Sequence, residues 1–557
     1  MTWITSVRSL GAFALSSTLA TQLYAWLQAY HPALGQPWLL VSGWPVYAPW
    51  KLAQWAWHWA LVQPQPFTWP ALLVVGLTVA LPALGAYVDT ATAQTASPVQ
   101  WATRRSLLHA DLFAEEGVVF GTWHGRRVCY DGTLHSLMVA PTGGGKTQTT
   151  GIPTALSWGP PRPDGQGGSL IVHDPKNELY PHTAGFRSQF SRVYHLNPTD
   201  PQSDCYDPLR GIRIGKSYEI RDALLLAEML GNPDGERPTS DAGQHFGELR
   251  TDFLIAVTLH GLYTRQATTL VGLDQFFMSE AALADTIRDM YQTHHTRNGP
   301  HRAVRRGLTM VQRLSDRELS GVQSTASRAL RMTLDPLVAR MTSRSSFTLQ
   351  DLRERTKPIS VYLTVPYSDQ ERLRPLSRLL IRQWLDYVTQ RLTGWNHRLL
   401  FLLDEVQALK HMPTLRSAMT FVRGYGVNLC LITPSLLELG DDAEPYVENA
   451  HIRVVYAPNS RRVANKFAEM TGEVQVEKAR ESVADDTQRL FGKRHMTTTS
   501  TAQEPLYSGT QVAFMPPDTG LLLIGNGGAP ALVKKALAYQ SRRLRRLMRL
   551  PVRKGAA

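Results

Sequence analysis

The chain has 557 residues, 43% of them hydrophobic, and a formal net charge of +13. That length and apolar content allow several packed domains and exclude a largely disordered chain. The basic balance points to anionic partners, nucleic acid or the inner face of a membrane. Cys129, Cys205 and Cys430 are far apart, which excludes a disulfide framework and a CxxC-type zinc site.

Two apolar stretches stand in the first hundred residues. Leu10 to Leu27 carries no charged residue, although Gln22 and several Ser and Thr dilute it. Phe67 to Val88 is longer and cleaner, with Pro70 and Pro82 inside it. About 20 apolar residues cross a bilayer core, and membrane helices tolerate proline. We therefore expect two spans, about residues 10–29 and 67–88. A signal peptide with Arg8 as its basic end is the alternative for the first stretch. The connector, 31–66, holds Trp38, Trp44, Trp50, Trp55, Trp57 and Trp59, a residue type that favours the membrane–water interface. Arg8 precedes the first stretch, and Arg104 and Arg105 follow the second. The excess of basic residues on these flanks puts them in the cytoplasm and the connector outside.

After Trp101, short apolar runs alternate with amphipathic stretches. Predicted strands are Leu134–Val139, Ser169–His173, Ile359–Val365, Arg398–Leu403, Val427–Ile432, Ile452–Tyr456 and Leu521–Ile524. This pattern predicts an α/β domain with a mostly parallel sheet covered on both faces. Residues 212–334 carry helical periodicity and few strand runs, which predicts an all-helical insertion with a loop at Gly231–Gly243. The expected layout is a membrane domain (1–100), a nucleotide-binding domain in two parts (101–211 and 335–540), the insertion (212–334) and a basic tail (541–557). Glu473 to Gln503 is polar and reads as a mobile surface excursion. The tail contains RRLRRLMRL. It would track phosphates, lie on anionic lipid, or simply solubilise.

The first predicted strand runs into APTGGGKT, Ala140 to Thr147, and then a helical stretch, Gln148 to Trp158. A phosphate-binding loop needs this order of strand, glycine-rich turn and helix start. Glycines let backbone N–H groups turn toward phosphate oxygens, and the helix dipole adds positive potential. Pro141, Thr142, Gly143, Gly144, Gly145, Lys146, Thr147 and Gln148 are the candidate nucleotide-binding set. Lys146 would reach the β/γ-phosphates, and Thr147 would hold Mg²⁺. The usual first glycine is Ala140 here.

LLFLLDE, Leu399 to Glu405, is an apolar strand ending in two carboxylates. Asp404 would act on Mg²⁺ and Glu405 would polarise the attacking water. In HDPKNELY, Asp174 and Lys176 follow another strand, so both fall at the same sheet edge; Asp174 also reads as a helix cap. Arg423, in FVRGYG, is either a solvated arginine or one that reaches a neighbouring subunit's γ-phosphate. LSGVQ, Leu319 to Gln323, is close to an ABC-transporter signature but lies too far from the Asp-bearing strand to serve as one.

Taken in order, MVAPTGGGKT, SLIVHDPKNELYPHTAGFR, ELSGVQSTASRAL, LLFLLDEVQALKHMPTL, RGYGVNLCLITPSL and MPPDTGLLLIGNG resemble the type IV coupling proteins. These are membrane-anchored, FtsK/HerA-like (TraG/TraD-type) ATPases of conjugation and secretion. The resemblance implies a RecA-like P-loop domain, an insertion for substrate recognition, an N-terminal two-helix transmembrane anchor and a hexameric active form. It implies ATP and Mg²⁺ as cofactors and a type IV secretion channel, its ATPases, and effector proteins or a relaxase–DNA complex as partners. It assigns Lys146 and Thr147 to the phosphate loop, Asp404 and Glu405 to magnesium and water, and Arg423 to a finger acting in trans. Hydrolysis that drives transfer is the expected activity. A docking receptor in which ATP is mainly structural, and a DNA pump with nonspecific DNA contacts, are the alternatives. Two positions depart from the pattern: Pro434 replaces a common glutamine, and Asn177 replaces a glycine, where asparagine tolerates positive φ.

Overall fold

The computed structural model describes residues 2–41, 43–59, 67–68, 70–78, 99–160, 167–235, 241–486 and 492–553. The chain forms two compact units, 1–98 and 99–557.

In the first unit a helix runs Thr2–Leu27, followed by the hairpin β1 (Leu39–Val41) and β2 (Trp44–Val46) and a helix Lys51–Trp59. Its small core is aromatic. Tyr24 stacks on Phe67 with ring centroids 4.2 Å apart, and Trp55 lies edge-on to Tyr47. Gln22, one of the residues diluting the first apolar stretch, donates to the Tyr47 carbonyl at 2.7 Å and accepts from the Tyr47 N–H at 3.2 Å. Thr21 donates to the Pro49 carbonyl. The polar residues of this helix thus pair with the connector's backbone. Among the described residues no helix is long and apolar enough to cross a membrane, so the expected two-helix anchor is not found there. The second stretch continues beyond the described residues after position 78, apart from position 69.

The second unit is built on an 11-stranded sheet. Its strands are β3 (Val118–Trp123), β4 (Arg126–Tyr130), β5 (Ser136–Val139), β6 (Gly168–His173), β7 (Arg192–Leu196), β8 (Ile359–Leu363), β9 (Arg398–Leu403), β10 (Val427–Thr433) and β11 (Ile452–Tyr456). After a separate hairpin, β12 (Glu473–Asp486) with β13 (Gly492–Pro505), come β14 (Thr519–Ile524) and β15 (Gly528–Lys534). The order is β4-β3-β15-β14-β11-β5-β10-β9-β6-β8-β7. From β11 to β7 all pairs are parallel, and the four strands at the other edge add antiparallel. All seven predicted strands lie in this sheet.

Alternate residues of the central strands feed two cores. Leu399, Phe401 and Leu403 face one, and Leu400 and Leu402 face the other. Both faces are therefore dry, which is why these strands read as continuous apolar runs. The first core continues into helices at Glu219–Gly231, Asp241–Thr264, Leu270–Gln275, Glu280–Gln292, Arg302–Val311 and Asp316–Leu330. LSGVQ lies inside the last of these, as ordinary helix.

Arg187 ties the second core together. Its side chain is fully buried and donates to the Trp158 carbonyl at 2.6 Å, the Gly168 carbonyl at 2.7 Å and Ser360 Oγ at 2.5 Å. Burial pushes its guanidinium down to about 10. Arg187→Leu leaves those carbonyls without a donor, and we expect a loss of about 3 kcal/mol or more, read from the denaturation midpoint.

Two segments take structure that their composition did not predict. The polar stretch 473–503 is an antiparallel hairpin in register from Glu473↔Pro505 to Asp486↔Gly492. The basic tail is docked through residue 553. Leu544, Leu547 and Met548, on the helix Arg542–Met548, pack on the second core. The Leu550 carbonyl approaches Gly185 so closely that any side chain there would collide with it. Arg542, Arg543, Arg545, Arg546 and Arg549 stay exposed.

Candidate functional site

Because β5, β10, β9 and β6 are parallel neighbours, the residues after each strand emerge at one edge of the sheet. That edge gathers Ala140–Thr147, Pro434, Asp404–Glu405 and Asp174–Lys176. β10 separates the phosphate-loop strand from the carboxylate strand.

The loop turns sharply. Gly144 N–H donates to the Pro141 carbonyl at 2.8 Å, and Gly143 and Gly145 have φ of 78° and 80°. A Cβ at Gly144 would sit 2.7 Å from the Pro141 oxygen. Thr142 and Gly143 are exposed, Pro141, Gly144, Gly145 and Gln148 half-buried, and Lys146 and Thr147 buried. Thr147–Gly151 forms a π-helical turn before the α-helix Ile152–Ser157. Pro153 lacks an N–H and crowds the preceding turn, which accounts for the widening.

Thr147 Oγ1 donates to Asp404 Oδ2 at 3.2 Å. Lys146 Nζ lies 2.8 Å from Glu405 Oε1, and Lys176 Nζ lies 2.6 Å from the same oxygen. Gln407 donates to the other oxygen of Glu405. Burial works against the charge on Glu405, but Lys146 and Lys176 overcome it and lower its pKa. Asp404 is raised to about 7, by burial first and by the neighbouring Glu405 second. Burial, and then the charge of Glu405, raise the pKa of Glu438. Behind the site, burial pushes His173 down to about 4, and its neutral ring donates from Nδ1 to the Asp404 carbonyl at 3.0 Å.

Glu405 itself has φ 52° and ψ 51°, a left-handed conformation uncommon for a side chain of its kind. Held conformations of this sort gather at active sites. Asn177 also has φ 53°, the positive value that its replacement of glycine allows. The helix that follows starts at Tyr180 with Leu179 as its cap residue, so the expected cap, Asp174, stands upstream of it. The Asp174 carboxylate accepts from the backbone of Glu178, Leu179 and Tyr180.

The Thr147 hydroxyl and the Asp404 carboxylate offer hard oxygen donors to one point beside the phosphate loop, which fits Mg²⁺ held jointly with a phosphate. Lys146 and the loop amides fit the phosphates themselves.

Arg423 lies elsewhere. It is exposed in the turn Val422–Tyr425, just before β10, at the end of the sheet opposite the phosphate loop. The sequence reading also missed two contacts. Lys535 Nζ donates to the Gly144 carbonyl at 2.6 Å, and Gln407 donates to Glu405. Gln407 lies two residues from Glu405 and was legible by proximity. Nothing in the sequence links Lys535 to a loop so distant along the chain.

Residues 89–554 match the family described as Type IV secretory system Conjugative DNA transfer. The chain belongs to this family. It is 27% identical over 599 residues to the conjugal transfer protein TraG of Escherichia coli, covering 95% of this chain and 90% of that one. It is 27% identical over 471 residues to VirD4 of Agrobacterium fabrum, covering 80% and 66%. Among solved structures it is similar to the unbound bacterial conjugative coupling protein TrwBdeltaN70, with a TM-score of 0.56, 15% identity and coverage of 80% and 95%. It is also similar to TrwB in complex with ADP and Mg²⁺, with a TM-score of 0.55, 14% identity and coverage of 79% and 94%. These likenesses establish a TrwB-like α/β fold around a sheet rich in parallel strands.

Proposed function

We propose that this chain is an ATPase that recruits a relaxase–DNA complex or effector proteins and couples them to a type IV secretion channel. The observation that carries this reading is the meeting of Lys146, Thr147, Asp404 and Glu405 at one sheet edge. The intervening β10 favours a RecA-like core, in which the water-activating carboxylate stands across from the phosphate loop. Mg²⁺, when bound, neutralises the phosphate oxygens. Lys146 leaves Glu405 for the phosphates as nucleotide enters, and Glu405 is then free to take a proton from water. Lys176 and Gln407 hold the Glu405 carboxylate in place.

Arg423 points to assembly. At the far end of β10 it serves a site only on another copy, so a ring, with six subunits as in the family pattern, is the active form. The helical region 212–334 is our candidate for cargo recognition. The first unit keeps Trp38, Trp44, Trp50 and Trp57 exposed, which supports attachment to the bacterial inner membrane. The exposed arginines of the C-terminal helix suit nonspecific DNA backbone contacts.

Pro434 favours a second reading, a docking receptor in which nucleotide is mainly structural. It ends β10 beside the phosphate loop and brings no polar side chain there. In donor cells we expect Lys146→Ala to abolish transfer of cargo while the protein accumulates normally. Transfer at the wild-type level would overturn the motor reading.

A further inference from the structure

The C-terminal segment crosses the phosphate loop before it reaches its docking place. β15 ends at Lys534. The next residue, Lys535, is anchored by its own N–H on the Asp518 carbonyl at 2.8 Å. Its ammonium then has two neighbours. It donates to the Gly144 carbonyl at 2.6 Å and lies 4.5 Å from the centroid of the Tyr456 ring. Tyr456 is buried at the end of β11, one residue beyond Val455, which pairs with Val139 at the end of β5. Two residues on, a Leu537 methyl lies 3.4 Å from the point where a Cβ on Gly145 would be. The segment thus touches Gly144 and passes beside Gly145, the two glycines immediately before Lys146.

The contacted carbonyl belongs to the peptide joining Gly144 to Gly145. In a trans peptide the C=O and N–H point in opposite directions. A cation that holds the Gly144 oxygen therefore also fixes the direction of the Gly145 N–H. Glycine needs such help, because without a Cβ it rotates at little cost. The other side of the turn is already tied, by Gly144 N–H on Pro141.

We propose that Lys535 is a positioning residue for the nucleotide, presetting the Gly144–Gly145 peptide so that the Gly145 N–H meets a phosphate oxygen. This rests on reading the loop as a nucleoside-triphosphate site. Lys535 acts through the loop and takes no part in the chemical step. Its effect falls on binding, and the rate of the bound complex stays as it was.

The test uses the full chain and MgADP as calorimetric probe, with steady-state turnover of MgATP beside it. Lys535→Met keeps the apolar stem over Tyr456 and removes the charge. It is expected to raise Kd for MgADP and KM for MgATP about tenfold, in keeping with the loss of one charged hydrogen bond. We expect kcat within about twofold, an unchanged melting temperature of the nucleotide-free protein, and recovery of most of the affinity in Lys535→Arg. Unchanged Kd and KM in Lys535→Met would overturn the proposal, as would a fall in kcat alone or a lower melting temperature that accounts for the weaker binding. Lys146→Ala serves as the control. If it binds MgADP like the wild type, the site reading itself fails, and the Lys535 inference with it. If it loses binding while Lys535→Met does not, only the inference fails.

Discussion

Glu405→Gln is expected to reduce ATP turnover by about 10²- to 10⁴-fold while leaving nucleotide binding intact. The amide has nearly the shape of the carboxylate but accepts no proton, so water bound opposite the γ-phosphate stays a poor nucleophile. Two features make Glu405 the residue to change. Its pKa is held low, so it is ionised and ready to act at neutral pH. Its left-handed backbone aims the side chain away from the line of β9 and toward Lys146. Loss of the ion pair with Lys146 also frees that lysine for phosphate, so affinity for MgATP should hold or rise. Phosphate release and MgATP binding measured on one preparation separate these effects. Turnover within tenfold of wild type would remove Glu405 from the chemical step.

Arg423→Ala is expected to lower turnover by about 10³-fold in the assembled protein, the scale of an arginine finger. It should leave binding to isolated subunits unchanged, because Arg423 lies at the opposite end of the sheet from its own phosphate loop. A mixing experiment gives the sharper result. Arg423→Ala subunits retain a sound phosphate loop, and Lys146→Ala subunits retain a sound Arg423. In the proposed ring each would be inactive alone, and mixed rings would contain interfaces where the two intact halves meet. Partial recovery of turnover on mixing is the expected outcome. No recovery, or full activity in Arg423→Ala alone, would make it an ordinary solvated arginine.

How much of this was legible depended on how each segment is buried. The central strands were readable because both faces are dry and the sequence runs apolar without interruption, as in Leu399–Leu403. β3, β4, β7 and β15 were not. Gly121 breaks β3, β4 opens with Arg126 and Arg127, β7 is only partly buried along its length, and β15 begins Gly-Ala-Pro. Such strands exist because a neighbour pairs with them, and their own composition carries little signal. The hairpin 473–505 was missed for the same reason. At the site, the residues within one motif were legible, namely Lys146, Thr147, Asp404 and Glu405. Contacts made across the fold were not, as with Lys535 on Gly144. The tail was read from its charge, whereas its place is set by Leu544, Leu547 and Met548 on the other side of the same short helix.

The strand order also bears on how the protein is made. β5, which carries the phosphate loop, pairs only with β10 and β11: Ser136 stands level with Cys430 and with Ile452. A ribosome that has finished the loop at Thr147 must synthesise the whole helical region and β9 before the first partner, β10 (Val427–Thr433), emerges. Until then an apolar strand has two open edges, a condition that invites wrong pairing. Contacts so distant along the chain also slow folding. Nucleotide cannot rescue the nascent chain early, because the cradle has no Asp404 beside Thr147 until β9 is in place. The strand order thus places its demand for protection on the chain during synthesis, before the sheet closes.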